Sequence, residues 1–358
     1  MHQLRNDYSE GAHPRILDAL VRTNLEQTVG YGADEHCARA AELIRAEIGQ
    51  PDAHVSFVPG GTPANILAIT ALTEEFEGPL CAADAHPTAH ETGAIEAHGR
   101  RLLATRDPLG RLTCDGMEPL WEAACAMGAA TTRPGMLYFS HTSELGYVYT
   151  RAEFDALCDW AEARDLAIYV DGARMASGCT AQGGDLTIQH IAARADAFTL
   201  GGTKNGMLFG EALVLSPRTA RGRRAIERIP YLTKRAGQLT AKGRVMGVMF
   251  EAAFDPATRD ETGAVLYWQT ARHANAMACR LAAGLTAAGF EPVIETTGNQ
   301  QFFWAECEVA ERLSAALGCE LMAGDDPAGR GRVIARFVTS WATPEAAVDE
   351  AVAFAQGL

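Results

Sequence analysis

A helix signal that feeds directly into an apolar strand is what most constrains the fold of this chain. Thr150 and Glu153 form a capping box ahead of a helix that would bury Phe154, Leu157, Cys158 and Ala161, and the chain then enters the apolar run Leu166 to Val170. Residues 35 to 48 show the same helical spacing at Cys37, Ala41, Ile44 and Ile48, with Gly49 placed to cap the end. Helix alternating with strand, without repeats or low-complexity linkers, implies an α/β fold around a mostly parallel sheet. From residue 246 the pattern changes to a long helix through His273 to Ala288, then strand, helix, the strand Val333 to Val338, and a last helix. Thr343 is expected to cap that helix, with Pro344 in its first turn. The expected division is a large domain over residues 1–245 and a small carboxyl-terminal α/β domain over residues 246–358.

Open sheets of this class bind ligands beyond the carboxyl ends of their strands. Asp171 ends the run Leu166 to Val170; taken alone it reads as a helix cap, a metal ligand or a partner for Arg174. Lys204 follows the next strand-like run, behind the Thr203 hydroxyl and among Gly201, Gly202 and Gly206, so a flat phosphate-bearing ligand could approach the backbone closely. A phosphate-binding P-loop is excluded, because Asn205 follows the lysine where that motif needs serine or threonine. The strong remaining reading is a Schiff-base lysine. Pro59-Gly60-Gly61-Thr62, between a short apolar strand and an apolar-rich helix, offers free N–H groups, a helix dipole and a hydroxyl to an anion, although alone it is also an ordinary turn. Amine, acid and anion cup together match the needs of pyridoxal 5'-phosphate (PLP): an amine for its aldehyde, an acid at its ring nitrogen and donors for its phosphate.

The motifs PGGTPAN, ADAHPTAHETGA, YVDGAR and LGGTKNG resemble the threonine aldolase and aromatic amino acid β-eliminating lyase family, as do LRNDYSEGAHP, GYGADEHC and VIARFVTSW. The resemblance spans nearly the whole chain and implies the aspartate aminotransferase fold, PLP fold type I. It implies that Lys204 attaches the cofactor, Asp171 pairs with the pyridine nitrogen, and Gly60, Gly61, Thr62 and Thr203 hold the phosphate. His86 would stack on the ring and serve as catalytic base, with Glu91 as an acid near the substrate hydroxyl. Arg174 and Arg336 are the expected partners of the substrate carboxylate, since a guanidinium grips one with two parallel hydrogen bonds. Asn6 stands where many threonine aldolases have serine beside that carboxylate, and Tyr31 and Arg235 look like residues that reach a neighbouring subunit's site.

The reaction implied is retro-aldol cleavage of a β-hydroxy-α-amino acid to glycine and an aldehyde by a homodimer or homotetramer. A β-eliminating lyase and an aminotransferase are the rival enzymes, and a non-catalytic ligand-binding homologue is a third reading. A nicotinamide dehydrogenase is poorer, because no GxGxxG run follows a strand. The chain departs from the aldolase pattern at Phe139-Ser140-His141-Thr142-Ser143-Glu144, where many members have Glu-Asn-Thr-His-Asn, and at Pro87, Thr88 and His90. These positions are expected to face the substrate side chain, so the preferred β-substituent need not be methyl.

A net charge of −14 argues against nucleic acid or an anionic membrane as partner. Nine cysteines with no CxxC pair point to neither a disulfide framework nor a zinc site, so no metal is expected. The start MHQLRNDYSEGAHP lacks a signal-peptide profile and no apolar stretch has the length of a bilayer span, so a cytoplasmic enzyme is expected.

Overall fold

The computed structural model describes residues 2–107 and 109–358. Seven strands form the main sheet: β1 (His54–Val58), β2 (Glu77–Ala82), β3 (Leu103–Thr105), β4 (Arg133–Ser140), β5 (Ala167–Asp171), β6 (Ala197–Gly201) and β7 (Glu211–Leu215). Their spatial order is β1-β7-β6-β5-β4-β2-β3. The neighbours from β6 to β3 pair in parallel, and β7 alone runs the other way, antiparallel to both β6 and β1. Reversal at β7 follows from its connection, since the short turn after β6 leaves no room for a crossover helix.

Local signals act as the sequence requires. The capping box of Thr150 and Glu153 opens helix Arg151–Glu162, and helix Glu35–Ile48 closes on Gly49 in the left-handed conformation. Helix Gly61–Leu72 is buried along most of its length against the sheet, which is why it is apolar on all sides. One expected cap shifts by a residue: helix Glu345–Gln356 starts after Pro344, and the Thr343 hydroxyl instead accepts the Ser340 N–H at 2.8 Å.

A second, four-stranded sheet of order β10-β11-β9-β8 is antiparallel throughout and is built from β8 (Glu291–Pro292), β9 (Gln300–Ala305), β10 (Glu320–Met322) and β11 (Val333–Val338). The main-sheet core continues past residue 246 through Phe250, Phe254, Tyr267 and Ala271. Leu281 and Leu285 pack instead with Phe303 and Phe337 of the small sheet and Val348 of helix Glu345–Gln356. Helix Leu266–Ala287 therefore serves both cores, and we propose that the two units divide within it rather than at residue 246. Among the described residues no helix is long and apolar enough to cross a membrane.

Candidate active site

The carboxyl ends of β4, β5 and β6, the turn after β1 and the edge of the small sheet enclose a cleft of about 670 Å³. Gly60, Gly61, Thr62, His86, Asp171, Arg174, Thr203, Lys204 and Arg336 line it together. Residues expected from separate motifs thus converge on one cavity, in the position that the strand-end rule assigns.

Gly60 and Gly61 stand at the amino end of helix Gly61–Leu72, which has no side-chain cap, and a β-carbon on Gly61 would meet nothing within 4 Å. Free helix N–H groups therefore open onto the cleft beside the Thr62 side chain, the chemistry of an anion cup. The Thr203 hydroxyl accepts the Gly210 N–H at 3.0 Å and lines the cleft beside Lys204. Gly201 and Gly202 have a different reason from the one expected. A β-carbon on Gly201 would lie 2.3 Å from the Ala173 carbonyl, and one on Gly202 2.6 Å from the Gly210 carbonyl, so these glycines serve close packing of the chain on itself rather than approach of a ligand.

Asp171 is buried at the end of β5 and accepts from three donors: the Tyr138 hydroxyl at 2.6 Å, the Asn65 amide at 3.1 Å and the Ala173 N–H at 3.0 Å. The same Asn65 amide donates to Glu91 at 2.7 Å, and its oxygen accepts the Tyr169 hydroxyl at 2.8 Å. Glu91 in turn lies 2.8 Å from His86 Nδ1. A continuous chain of hydrogen bonds therefore runs from His86 through Glu91 and Asn65 to Asp171. Glu91 itself is sealed behind His86, so it orients the imidazole rather than facing a substrate hydroxyl as expected. The hydrogen bond to Glu91 raises the His86 pKa, burial opposes it, and the charges of Glu144, Asp171 and Glu91 add to the rise. With Nδ1 held by Glu91, Nε2 is the nitrogen left for chemistry.

Burial pulls the Lys204 amine below its ordinary range; the Arg174 charge adds to this, while Asp7, Glu144 and Asp171 oppose it. A lowered pKa enlarges the neutral, nucleophilic fraction. Ser140 Oγ and Thr142 Oγ1, also on the cleft, are buried with no protein partner among the described residues, so the cavity presents polar groups that a ligand would satisfy.

The two arginines are already engaged. Arg174 donates from Nε and Nη2 to Asp7 at 2.7 and 3.0 Å in a buried bidentate pair, which leaves Nη1 for a substrate. Arg336 donates from Nε and Nη2 to Gln300 at 3.2 and 2.7 Å and from Nη1 to Glu320. A substrate carboxylate has to share or displace these partners. Asn6 is not on the cleft; its side-chain oxygen accepts the Tyr8 N–H and the Ser9 hydroxyl, and the adjacent Asp7 is the buried residue. Tyr31 is 54% exposed outside the cleft, with Lys234 5.2 Å from its ring centroid, and Arg235 is also exposed. His141 is fully buried and is not among the residues that line the cleft, and burial pushes its pKa down to about 4, which favours the neutral imidazole.

Asp7, Asn65, Tyr138 and Glu211 are site residues that sequence reasoning missed. Asn65 was within reach, being the last residue of PGGTPAN and one turn into a helix whose start was already assigned.

Comparison with known proteins extends the picture. Residues 3–308 match the family model described as beta-eliminating lyase. The low specificity L-threonine aldolase of Pseudomonas sp. (strain NCIMB 10558) is 30% identical over 98% of this chain and 96% of its own. The enzyme of the same name from Pseudomonas aeruginosa is 30% identical over 68% of this chain and 69% of its own. The Leishmania major threonine aldolase structure superposes with a TM-score of 0.92 at 33% identity, covering 100% of this chain and 99% of that one. A probable N-succinyldiaminopimelate aminotransferase from Thermus thermophilus shares the fold alone, with a TM-score of 0.67 at 15% identity. Likeness of this breadth, carried through both sheets and across the cleft between them, makes the chain a member of the β-eliminating lyase family with the aspartate aminotransferase fold.

Proposed function

We propose that this protein is a PLP-dependent aldehyde-lyase of the low-specificity L-threonine aldolase kind, cleaving a β-hydroxy-α-amino acid to glycine and an aldehyde. The observation that carries the reading is the hydrogen-bonded chain from His86 to Asp171, which couples a base on the cleft to the acid expected at the cofactor nitrogen. Lys204 would bond the cofactor, Asp171 would hold its ring nitrogen protonated, His86 would cover the ring, and Gly60, Gly61, Thr62 and Thr203 would take its phosphate. When bound, PLP supplies an electron sink conjugated with the substrate α-carbon.

The rest of the work belongs to the chain. Arg174 Nη1 and Arg336 grip the substrate carboxylate and set which bond at the α-carbon stands perpendicular to the ring. His86 Nε2 takes the β-hydroxyl proton as the Cα–Cβ bond breaks, and Glu91 stabilises the imidazolium that forms. Asn65, held by Tyr169, keeps Glu91 and Asp171 in register. The aldehyde is released into the cleft, which His90, Glu144 and Leu145 also line. An α-carbon proton then completes glycine.

Val21, Leu25, Val29 and Tyr231 are 76, 91, 66 and 79% exposed, an apolar load that supports a homodimer or homotetramer in which Tyr31 and Arg235 reach the neighbouring site. Nine free cysteines support a reducing, cytoplasmic location. The test is product analysis with L-threonine and L-phenylserine: glycine plus the matching aldehyde is expected, and a 2-oxo acid with ammonia would replace aldol cleavage by elimination.

A further inference from the structure

Glu211 is a buried acid in the part of the cleft where a phosphate is expected. It opens β7 and stands opposite Val58 of β1 on one side and Gly201 of β6 on the other. Val58 leads into the Pro59–Thr62 turn and Gly201 into the Thr203–Lys204 turn, so Glu211 lies between the two halves of the phosphate cup. Its side chain lines the same cleft as Gly60, Gly61, Thr62 and Thr203, and the residue is only 4% exposed. The Gly202 N–H donates to Oε2 at 3.1 Å, and no arginine pairs with it among the described residues.

An ionised carboxylate there would repel a phosphate dianion at short range and in low dielectric, whereas a neutral carboxyl is a strong O–H donor to a phosphate oxygen. We propose that Glu211 binds the cofactor phosphate as a protonated acid, donating the hydrogen bond that completes the cup. Burial pushes its pKa up to about 8, and the Asp171 charge pushes the same way, while Lys204 and the hydrogen bonds from Thr203 and Gly202 oppose the shift. The other titratable groups that feel its charge are the buried hydroxyls of Tyr169 on β5 and Tyr267 on helix Leu266–Ala287, neither of which ionises near neutral pH. Burial therefore favours the neutral acid at Glu211 around neutral pH, and loss of its proton at higher pH would leave a repelling anion. The inference rests on the cofactor reading.

The experiment measures binding of PLP and of pyridoxal, which lacks the phosphate, to full-length protein by equilibrium dialysis across a pH series. It is done in a Lys204→Ala background so that titration of the amine plays no part, with and without Glu211→Gln, whose amide keeps a donor but cannot ionise. PLP affinity is expected to fall by up to about tenfold per pH unit once Glu211 loses its proton, as one linked proton requires. The Glu211→Gln protein should show a clearly shallower fall for PLP, limited to the ring-nitrogen titration that pyridoxal shares, and pyridoxal should be indifferent to the substitution. A parent profile without the fall, or an equal fall in Glu211→Gln, overturns the proposal while leaving the cofactor reading standing. Failure of the wild-type chain to take up PLP at all overturns both. Difference infrared spectroscopy gives a readout that needs no stable variant: PLP binding to wild type should shift the carbonyl stretch of a protonated carboxylic acid, and its absence would refute the role.

Discussion

Replacing Asp7 by alanine strands the Arg174 guanidinium in the protein interior, and the size of the effect follows from the burial. The two side chains are 1% and 7% exposed and share two hydrogen bonds of 2.7 and 3.0 Å. Removing one partner of such a pair costs about 3–5 kcal/mol, mostly from the charge left uncompensated. Unfolding entropy of about 2.1 cal/mol/K per residue gives ~0.75 kcal/mol/K for 358 residues unfolding together, so Tm should fall by ~4–7 °C. Thermal unfolding of Asp7→Ala, Arg174→Met and the Asp7→Leu/Arg174→Met double variant checks this, and the double variant should recover much of the loss. Burial alone would raise the Asp7 pKa, but the charges of Arg174 and Lys204 and the hydrogen bonds from Arg174 and Asn299 leave it lowered. Its contribution is therefore full above the ordinary carboxylate range and is lost as pH falls through the lowered value, a dependence Asp7→Ala should lack. An Asp7→Ala protein as stable as wild type, or a double variant no better than either single one, would refute the reasoning.

Glu91→Gln removes the largest cause of the raised His86 pKa, so the acidic limb of the pH–rate profile should move to lower pH with a lower maximal rate; an unmoved limb would mean that His86 is not the titrating base. Lys204→Ala should fold yet lose turnover, and borohydride should fix cofactor to the Lys204 peptide of wild type only. Arg336→Lys loses a charge-assisted pairing worth about 1.5–3 kcal/mol, so KM should rise about tenfold or more with kcat less affected. An unchanged KM would assign the substrate carboxylate to Arg174 alone.

The groups that local pattern made readable are those tied to element ends. Asp171 ends β5, Lys204 follows β6 and the glycine cup follows β1, so apolar runs and their punctuation were enough to place them. The expected helix caps at Thr150 and Gly49 rest on the same local rules. What the sequence withheld depends on contacts between distant segments. Asp7 meets Arg174 across 167 residues, and Asn65 meets Asp171 across 106, which no spacing rule encodes. Asn6 was expected beside the carboxylate only from its place in the family resemblance, and the fold turns the neighbouring Asp7 inward instead. Glu91 was found but misread, because an acid five residues after a histidine does not reveal whether it faces the cleft or the core. The reversed strand β7, and with it the position of Glu211 between two turns, depends on pairing with both β6 and β1.

His86 and the arginines are proposed to direct cleavage to the Cα–Cβ bond. Turnover of L-phenylserine in deuterium oxide tests it most directly, because breaking that bond leaves an α-carbon that must take one hydrogen from solvent. Benzaldehyde together with glycine carrying a single carbon-bound deuterium is the expected outcome. Phenylpyruvate and ammonia, or glycine with no deuterium, would contradict it.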